Sequence, residues 1–222
     1  MTPEGTHSHP AGAREPRWPA ALALFSVGAL NLSLPESLTV GPDWLLLALV
    51  LGLTILGALF GRRGWPRASR KIGFLAHGVV TADLLVSMFL LVRSLPSHAV
   101  APKALLGAAA ALWLANILVF AGWYWRLDAG GPHARESRAR HTHGDFLFPQ
   151  MTIDPATSPL GGDPDWSPGF VDYLFLAFNT STAFSPTDVP VLSPWAKLLM
   201  MLQASISFTT VALLAARAVN IL

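Results

Sequence analysis

Hydrophobic residues in this chain fall into long runs separated by short polar segments. Three runs occupy residues 18–34, 44–60 and 72–92, and a fourth covers residues 103–125. A helix needs about 20 apolar residues to cross the hydrocarbon of a bilayer, at a rise of about 1.5 Å per residue. The runs therefore predict membrane-spanning helices. The first is the weakest of them, because it is short and contains Asn31.

The pattern changes after the fourth run. Residues 126–168 are polar, rich in Gly, Pro, Asp and His, and lack a helical period, as is typical of a functional or disordered connection. A short apolar stretch at residues 169–181 follows a Ser-Pro pair, which is a good helix start. Its roughly ten apolar residues are too few to cross a bilayer, and stretches of this length are often re-entrant. A polar strip at residues 182–188 and a long apolar run at residues 194–222 follow.

These elements predict an all-α membrane protein, a multi-span helical bundle with a re-entrant half-helix between the last two spans. Residues 1–17 are expected to form a disordered tail, and residues 18–100 to form three N-terminal spans. In the alternative arrangement, residues 170–188 cross completely, which gives six spans and no re-entrant loop.

The composition supports a membrane location and narrows the chemistry. Of the 222 residues, 52% are hydrophobic and only 13% are charged, too few charges to solvate a soluble domain of this length. The net charge of +2 gives no basis for nucleic-acid binding, and the absence of cysteine excludes thiolate metal sites and disulfides. No nucleophile with a recognisable base is present, so we expect neither an enzyme nor a cofactor. The histidine pairs lack a third metal ligand and are expected to be solvated: His7 with His9, and His141 with His143.

Polar residues inside the apolar runs are the candidates for function. Asp83 lies in mid-span, where an acid costs about 2.5–3.5 kcal/mol to insert. It is expected to face the bundle interior, either on a proton or cation path or in a hydrogen bond to another span. His77 is a weak partner for it, because six residues along a helix place the two side chains about 120° apart. Asn116 and Gln203 are expected to join helices.

The segment FLAFNTSTAFSPTDVPVLSPWAKLLMMLQA resembles the pore loop and inner helix of potassium channels. Without a gap, Thr180 and Thr182 fall on the threonines that lead into the selectivity filter of that family, and Asp188 falls on the acid that ends it. Pro194 falls on the proline before the inner helix, and Lys197 falls on a basic position in its first turn.

The resemblance covers roughly residues 103–222 and is sharp only from about residue 175 to residue 203. It implies four copies of the chain around a path for a monovalent cation in the cell membrane. It also implies a pore-domain-like region at residues 101–222, composed of an outer helix 103–125, a polar loop 126–168, a half-helix 169–181, a filter-like strip 182–188 and an inner helix 194–222.

The filter sequence itself departs from the family. Both glycines of its Thr-Val-Gly-Tyr-Gly motif are absent, although glycine permits the positive φ angles that turn carbonyls toward the axis. Pro186 fixes φ near about −65°. The resemblance therefore implies a cation pore with non-standard selectivity. The residues at the motif positions are Ala183, Phe184, Ser185, Pro186 and Thr187.

In that interpretation, hydroxyl and carboxyl groups line or cap the path at Thr182, Ser185, Thr187 and Asp188, and polar side chains of the inner helix face an inner cavity at Gln203 and Ser207. Two alternatives remain open. One is a non-conducting scaffold, sensor or assembly partner that retains the pore fold. The other is a proton-coupled transporter that uses Asp83, although no inverted repeat accompanies it.

The two loops give conflicting indications of orientation. Basic residues place residues 61–71 in the cytoplasm, and four preceding spans would place residues 126–168 there too. The resemblance requires the second loop to lie outside the cell. Both conditions hold only if one early segment does not span the membrane, or if one of the two basic stretches does not lie in the cytoplasm.

Overall fold

The computed structural model describes residues 15–94, 101–136, 144–153, 166–182 and 189–219. These residues are largely helical, and their extended backbone includes an isolated antiparallel bridge between Phe146 and Val191. The helices are α1 (Trp18–Asn31), α2 (Trp44–Arg62), α3 (Pro66–Ser94), α4 (Pro102–Leu127), α5 (Pro132–Glu136), α6 (Phe170–Thr182) and α7 (Pro194–Val219).

Four of the helices in the described part of the chain are long and apolar enough to cross a membrane: α2, α3, α4 and α7. This is the organisation of a multi-pass membrane protein. Helices α1 and α6 have 14 and 13 residues. Each is therefore about 20 Å long, which is less than the roughly 30 Å of a bilayer core.

Helix α4 is the centre of the bundle. It contacts α1, α3, α6 and α7, whereas α2 packs mainly against α3 and α1 at the periphery. Small residues on α4 let its neighbours approach closely, as is usual between membrane helices. The buried small residues of α4 are Ala108, Ala109, Ala111, Ala115, Ala121 and Gly122.

The C-terminal end of α4 marks one end of the bundle, at which α3 and α6 begin. The Trp125 ring packs edge-on against Phe170, the first residue of α6, with 6.1 Å between ring centroids. Nε of Arg126 donates to Nδ1 of His77, in the first half of α3, at 2.9 Å. Both helices therefore run antiparallel to α4.

Helix α7 begins at this same end. The Phe146 ring packs against Tyr124 and Trp195, at centroid distances of 5.2 and 6.2 Å. The Leu192 N–H donates to the Asp145 carbonyl at 2.8 Å, which pairs the segment before α7 with the loop after α4. Helices α6 and α7 therefore both begin at this end of the bundle.

We call this end the basic end, because most of the described Lys and Arg residues belong to it. They are Arg17, Arg62, Arg63, Arg67, Arg70, Lys71, Arg126, Arg135 and Lys197. The described basic residues of the opposite end are Arg93, Lys103 and Arg217, the last of them placed by its position in α7.

Several element boundaries differ from the sequence-based expectation. Helix α3 begins at Pro66, six residues early, because its basic first turns are good helix formers. Helix α6 begins at Phe170, after the Ser-Pro pair, and Oδ2 of Asp172 accepts the Gly169 N–H at 2.8 Å. The expected polar loop begins only after Leu127 and includes the short helix α5.

The predicted tail is attached to the bundle at its last residues. Arg17 bonds to Glu136 at 3.2 Å, and Glu15 bonds to Arg135 at 2.9 Å. Residues 1–14 lie outside the described part of the chain.

Candidate functional site

A buried amide connects the C-terminal end of α6 to α4 and α7. Nε2 of Gln203 donates to the Ala177 carbonyl at 2.7 Å and to Oγ of Ser181 at 2.8 Å. Its Oε1 accepts the Tyr124 hydroxyl at 2.5 Å. Gln203 and Tyr124 are both 0% exposed. One side chain of α7 therefore holds the last turn of α6 against the central helix α4.

A second amide extends this network along α7. Nδ2 of Asn116 donates to the Gln203 carbonyl and to Oγ of Ser207, both at 3.1 Å. This confirms the prediction that Asn116 and Gln203 join helices. Gln203 and Ser207 face α4 and α6 of their own chain, and their proposed place in an inner cavity stays a prediction. We call this set the polar junction: Asn116, Tyr124, Ser181, Gln203 and Ser207.

The start of α6 is anchored at the basic end. Oδ2 of the buried Asp128 accepts the Tyr173 hydroxyl at 2.6 Å, and its Oδ1 accepts the Asp145 N–H at 2.5 Å. Arg135 donates to the Trp125 and Asp128 carbonyls at 2.9 and 3.0 Å, and its guanidinium lies 5.2 Å from the Tyr173 ring centre. Both ends of α6 are therefore held by buried polar contacts.

The two filter-like threonines that the structure describes bond to their own helix. Oγ1 of the half-buried Thr180 donates to the Leu176 carbonyl at 2.8 Å, and Oγ1 of the exposed Thr182 donates to the Phe178 carbonyl at 3.0 Å. The remaining filter-like positions lie outside the described residues: Ala183, Phe184, Ser185, Pro186, Thr187 and Asp188.

The two ionisable residues predicted within the spans lie at separate sites. Nδ2 of Asn31 in α1 donates to Oδ2 of Asp83 at 2.9 Å, which is the hydrogen bond to another helix that was one of the two expectations. His77 contacts Arg126 instead. Across the described residues, no group of three or more His, Cys, Asp or Glu could hold a metal ion. The four histidines of the His-x-His pairs lie outside the described ranges.

One face of α7 has no covering element in the described part of the chain. Leu198, Met201 and Phe208 are each about 65% exposed, and Ser205 lies on the same face. These positions follow one another by steps of three, four and three residues. That spacing is typical of a seam along which helices of a bundle pack together. Ser205 was not singled out from the sequence, although the spacing was available there.

No protein-family model, curated protein or solved structure matches the chain. The likeness to potassium channels therefore rests on the residues quoted above and stays a prediction.

Proposed function

We propose that the chain is one subunit of an oligomeric cation-conducting pore in the cell membrane. Helices α4, α6 and α7 serve as its outer helix, half-helix and inner helix. One observation carries the proposal: α6 and α7 start at the same end of the bundle, while the last turn of α6 is bonded inside it by Gln203.

The lengths favour a re-entrant path for this segment. Helix α6 is about 20 Å long, so from the basic end it reaches only part of the way across a roughly 30 Å bilayer core. Residues 183–188 then connect it to Val189, which precedes α7 at the end where α6 began. Irregular backbone at membrane depth requires burial in protein or a water-filled cavity. The partly negative C-terminal end of α6 favours a cation there.

The uncovered face of α7 supports an oligomer. A single half-helix cannot enclose a path, so neighbouring copies must complete the wall. The seam of Leu198, Met201, Ser205 and Phe208 offers a surface for packing α7 helices around an axis. The number of copies, four, comes from the resemblance alone.

We further propose that the basic end lies in the cytoplasm. Lys and Arg are concentrated on the cytoplasmic side of membrane proteins, and the described ones are concentrated at this end of the bundle. The half-helix would then enter the membrane from the cytoplasmic side, which is the reverse of what the resemblance implies.

Ion flux into liposomes tests conduction. The chain has no cysteine, so a Thr182→Cys variant carries a single thiol. We expect a methanethiosulfonate reagent to block its flux, and Asp188→Asn to reduce flux without reagent. Ser33→Cys is the matched control, because Ser33 is also exposed and its hydroxyl also donates to a carbonyl in the last turn of a helix, that of Leu30 in α1. Its flux should be insensitive to the reagent.

Folded, oligomeric protein without flux would overturn the proposal in favour of a non-conducting scaffold. A saturable, substrate-coupled flux that depends on Asp83 would identify a transporter instead.

Labelling of single cysteines in intact cells tests the orientation. We expect Arg63→Cys and His133→Cys to be protected from a membrane-impermeant maleimide, and Val40→Cys, on the opposite side, to react. If only one of Arg63→Cys and His133→Cys reacts with the maleimide, the two residues lie on opposite sides of the membrane, and the assignment of both to one end of the bundle is wrong. If both react and Val40→Cys is protected, the half-helix enters from outside.

A further inference from the structure

Arginine side chains converge on one corner of the basic end, between α1, α3, α4 and α5. Arg126 lies in the last turn of α4, where the neighbouring Trp125 donates to the carboxylate of Glu15. Arg126 is repelled by Arg17, which precedes α1. Arg17 in turn contacts His133 of α5, with Nη2 donating to Nδ1 at 2.9 Å. Arg70 of α3 acts electrostatically on the same His133. Three arginines therefore share one region of the surface.

The guanidinium of Arg126 packs against Gly73 of α3. A methyl group on Gly73 would overlap its guanidinium, so the glycine is what allows the two helices to approach here. Nε of Arg126 donates to Nδ1 of the buried His77 at 2.9 Å. The same Nδ1 lies 3.2 Å from the Gly73 carbonyl, so the glycine, the histidine and the arginine meet at one point. The other guanidinium N–H groups have no acceptor among the described residues.

The carboxylates near this corner have partners of their own; Oδ2 of the buried Asp128, for example, accepts the Tyr173 hydroxyl. In the described part of the chain, Glu136 pairs with Arg17 at 3.2 Å, and Glu15 is engaged by Arg135. Arg126 and Arg70 have no carboxylate partner there. The pKa of His133 is lowered by its partial burial and then by Arg17, with Glu136 opposing and Arg70 adding a smaller effect. Two guanidinium groups of this corner, those of Arg126 and Arg70, are therefore not neutralised by a carboxylate of the described residues.

We propose that Arg126, Arg17 and Arg70 bind the phosphate group of an anionic phospholipid. A guanidinium presents a planar fork of donors that suits phosphate oxygens. Arg126 lies in the last turn of a membrane-spanning helix, beside Trp123 and Trp125, at the depth where lipid headgroups meet protein. Basic pockets between membrane helices on the cytoplasmic side bind such headgroups. The site does not depend on ion conduction.

Native mass spectrometry of the full chain in detergent, titrated with phosphatidylglycerol or phosphatidylcholine, tests the site. We expect the first phosphatidylglycerol to bind more tightly than phosphatidylcholine. Arg126→Gln and Arg70→Gln should each weaken that binding about fivefold. Gly73→Ala should weaken it too, because it displaces the guanidinium without removing a charge. Arg63→Gln is the matched control at the same end of the bundle and should have no effect.

Equal losses for Arg63→Gln and Arg126→Gln would indicate unspecific attraction and overturn the proposal, as would the absence of any preference for phosphatidylglycerol. Inorganic phosphate is the second probe. If it displaces the lipid from the unmodified protein as well as added phosphatidylglycerol does, the corner binds a soluble anion and the lipid assignment is wrong. If Arg126→Gln fails to fold, Arg70→Gln and Gly73→Ala still decide, because Arg70 is exposed and a guanidinium tip moves easily.

Discussion

Replacement of Gln203 by leucine should loosen the end of the half-helix. The change removes three side-chain hydrogen bonds: those to the Ala177 carbonyl and Ser181 Oγ, and the one from Tyr124. Interhelical hydrogen bonds in membrane proteins contribute about 0.6 kcal/mol each, or about 2 kcal/mol together. The buried Tyr124 hydroxyl also loses its partner, which costs about 1–3 kcal/mol. We therefore expect the free energy of unfolding to fall by about 3–5 kcal/mol.

The assay is reversible unfolding by sodium dodecyl sulfate from mixed micelles, followed by circular dichroism. A Ser205→Ala variant is the control, because its hydroxyl lies on the uncovered face of the same helix and donates only to the Met201 carbonyl. Its stability should change by less than about 0.5 kcal/mol.

A double-mutant cycle identifies the cause. Tyr124→Phe removes the hydroxyl that Gln203→Leu leaves without a partner, so the double variant should be more stable than the sum of the two losses by about 0.5–3 kcal/mol. Strictly additive losses, or a loss for Gln203→Leu no larger than that of Ser205→Ala, would refute the role assigned to this network.

Three further predictions concern the packing and the basic end. Gly122→Ala presses a methyl group against the buried histidine ring of α3 and should cost about 1–3 kcal/mol in detergent unfolding, whereas Gly78→Ala, with open space around it, should not destabilise. Tyr173→Phe leaves Oδ2 of the buried Asp128 without its hydroxyl donor and should cost about 1–3 kcal/mol in the same assay. The pKa of His133 is lowered in the folded chain, chiefly by burial, so its contribution to stability is present above the unfolded pKa of about 6.5 and is lost as the pH falls below it. His133→Gln should reduce this acid sensitivity of the thermal midpoint, and an unchanged slope would contradict the assignment.

The spans were predictable because a bilayer sets a minimum length for an apolar helix, and no packing detail is needed to apply it. The start of α3 was not, since its basic first turn resembles a loop in composition although those residues are good helix formers. The loop after α4 was also underestimated. Phe146 and Phe148 are 0% and 3% exposed. The segment FLF in an otherwise polar stretch was the signal that a part of this loop is packed.

The sequence predicted that Asn116 and Gln203 join helices, but it did not predict which residues they contact. Asn116 and Tyr124 are two helical turns apart on α4, and Gln203 and Ser207 are one turn apart on α7, so each pair shares a face. Periodicity cannot say whether such a face turns toward another helix or toward a path. The answer depends on which helices pack side by side. Only the folded structure shows that α6 packs against these faces of α4 and α7.

The side of the membrane from which α6 enters also depends on how the helices pack, and not only on their order along the chain. Counting spans places the basic loops before α3 and after α4 on one side of the membrane, because only α3 and α4 lie between them, whether or not the 14 residues of α1 span. Contacts of Arg17 with His133 and of Arg126 with His77 join the chain before α1, the start of α3 and the end of α4. The two basic loops therefore share one side of the bundle, whichever side of the membrane that is. The likeness to potassium channels concerns only the order of half-helix, strip and inner helix, and this order is unchanged when the bundle is inverted. The proposed cytoplasmic position of the basic end therefore rests on charge alone, and it keeps the order of elements that the resemblance describes while reversing the side from which α6 enters.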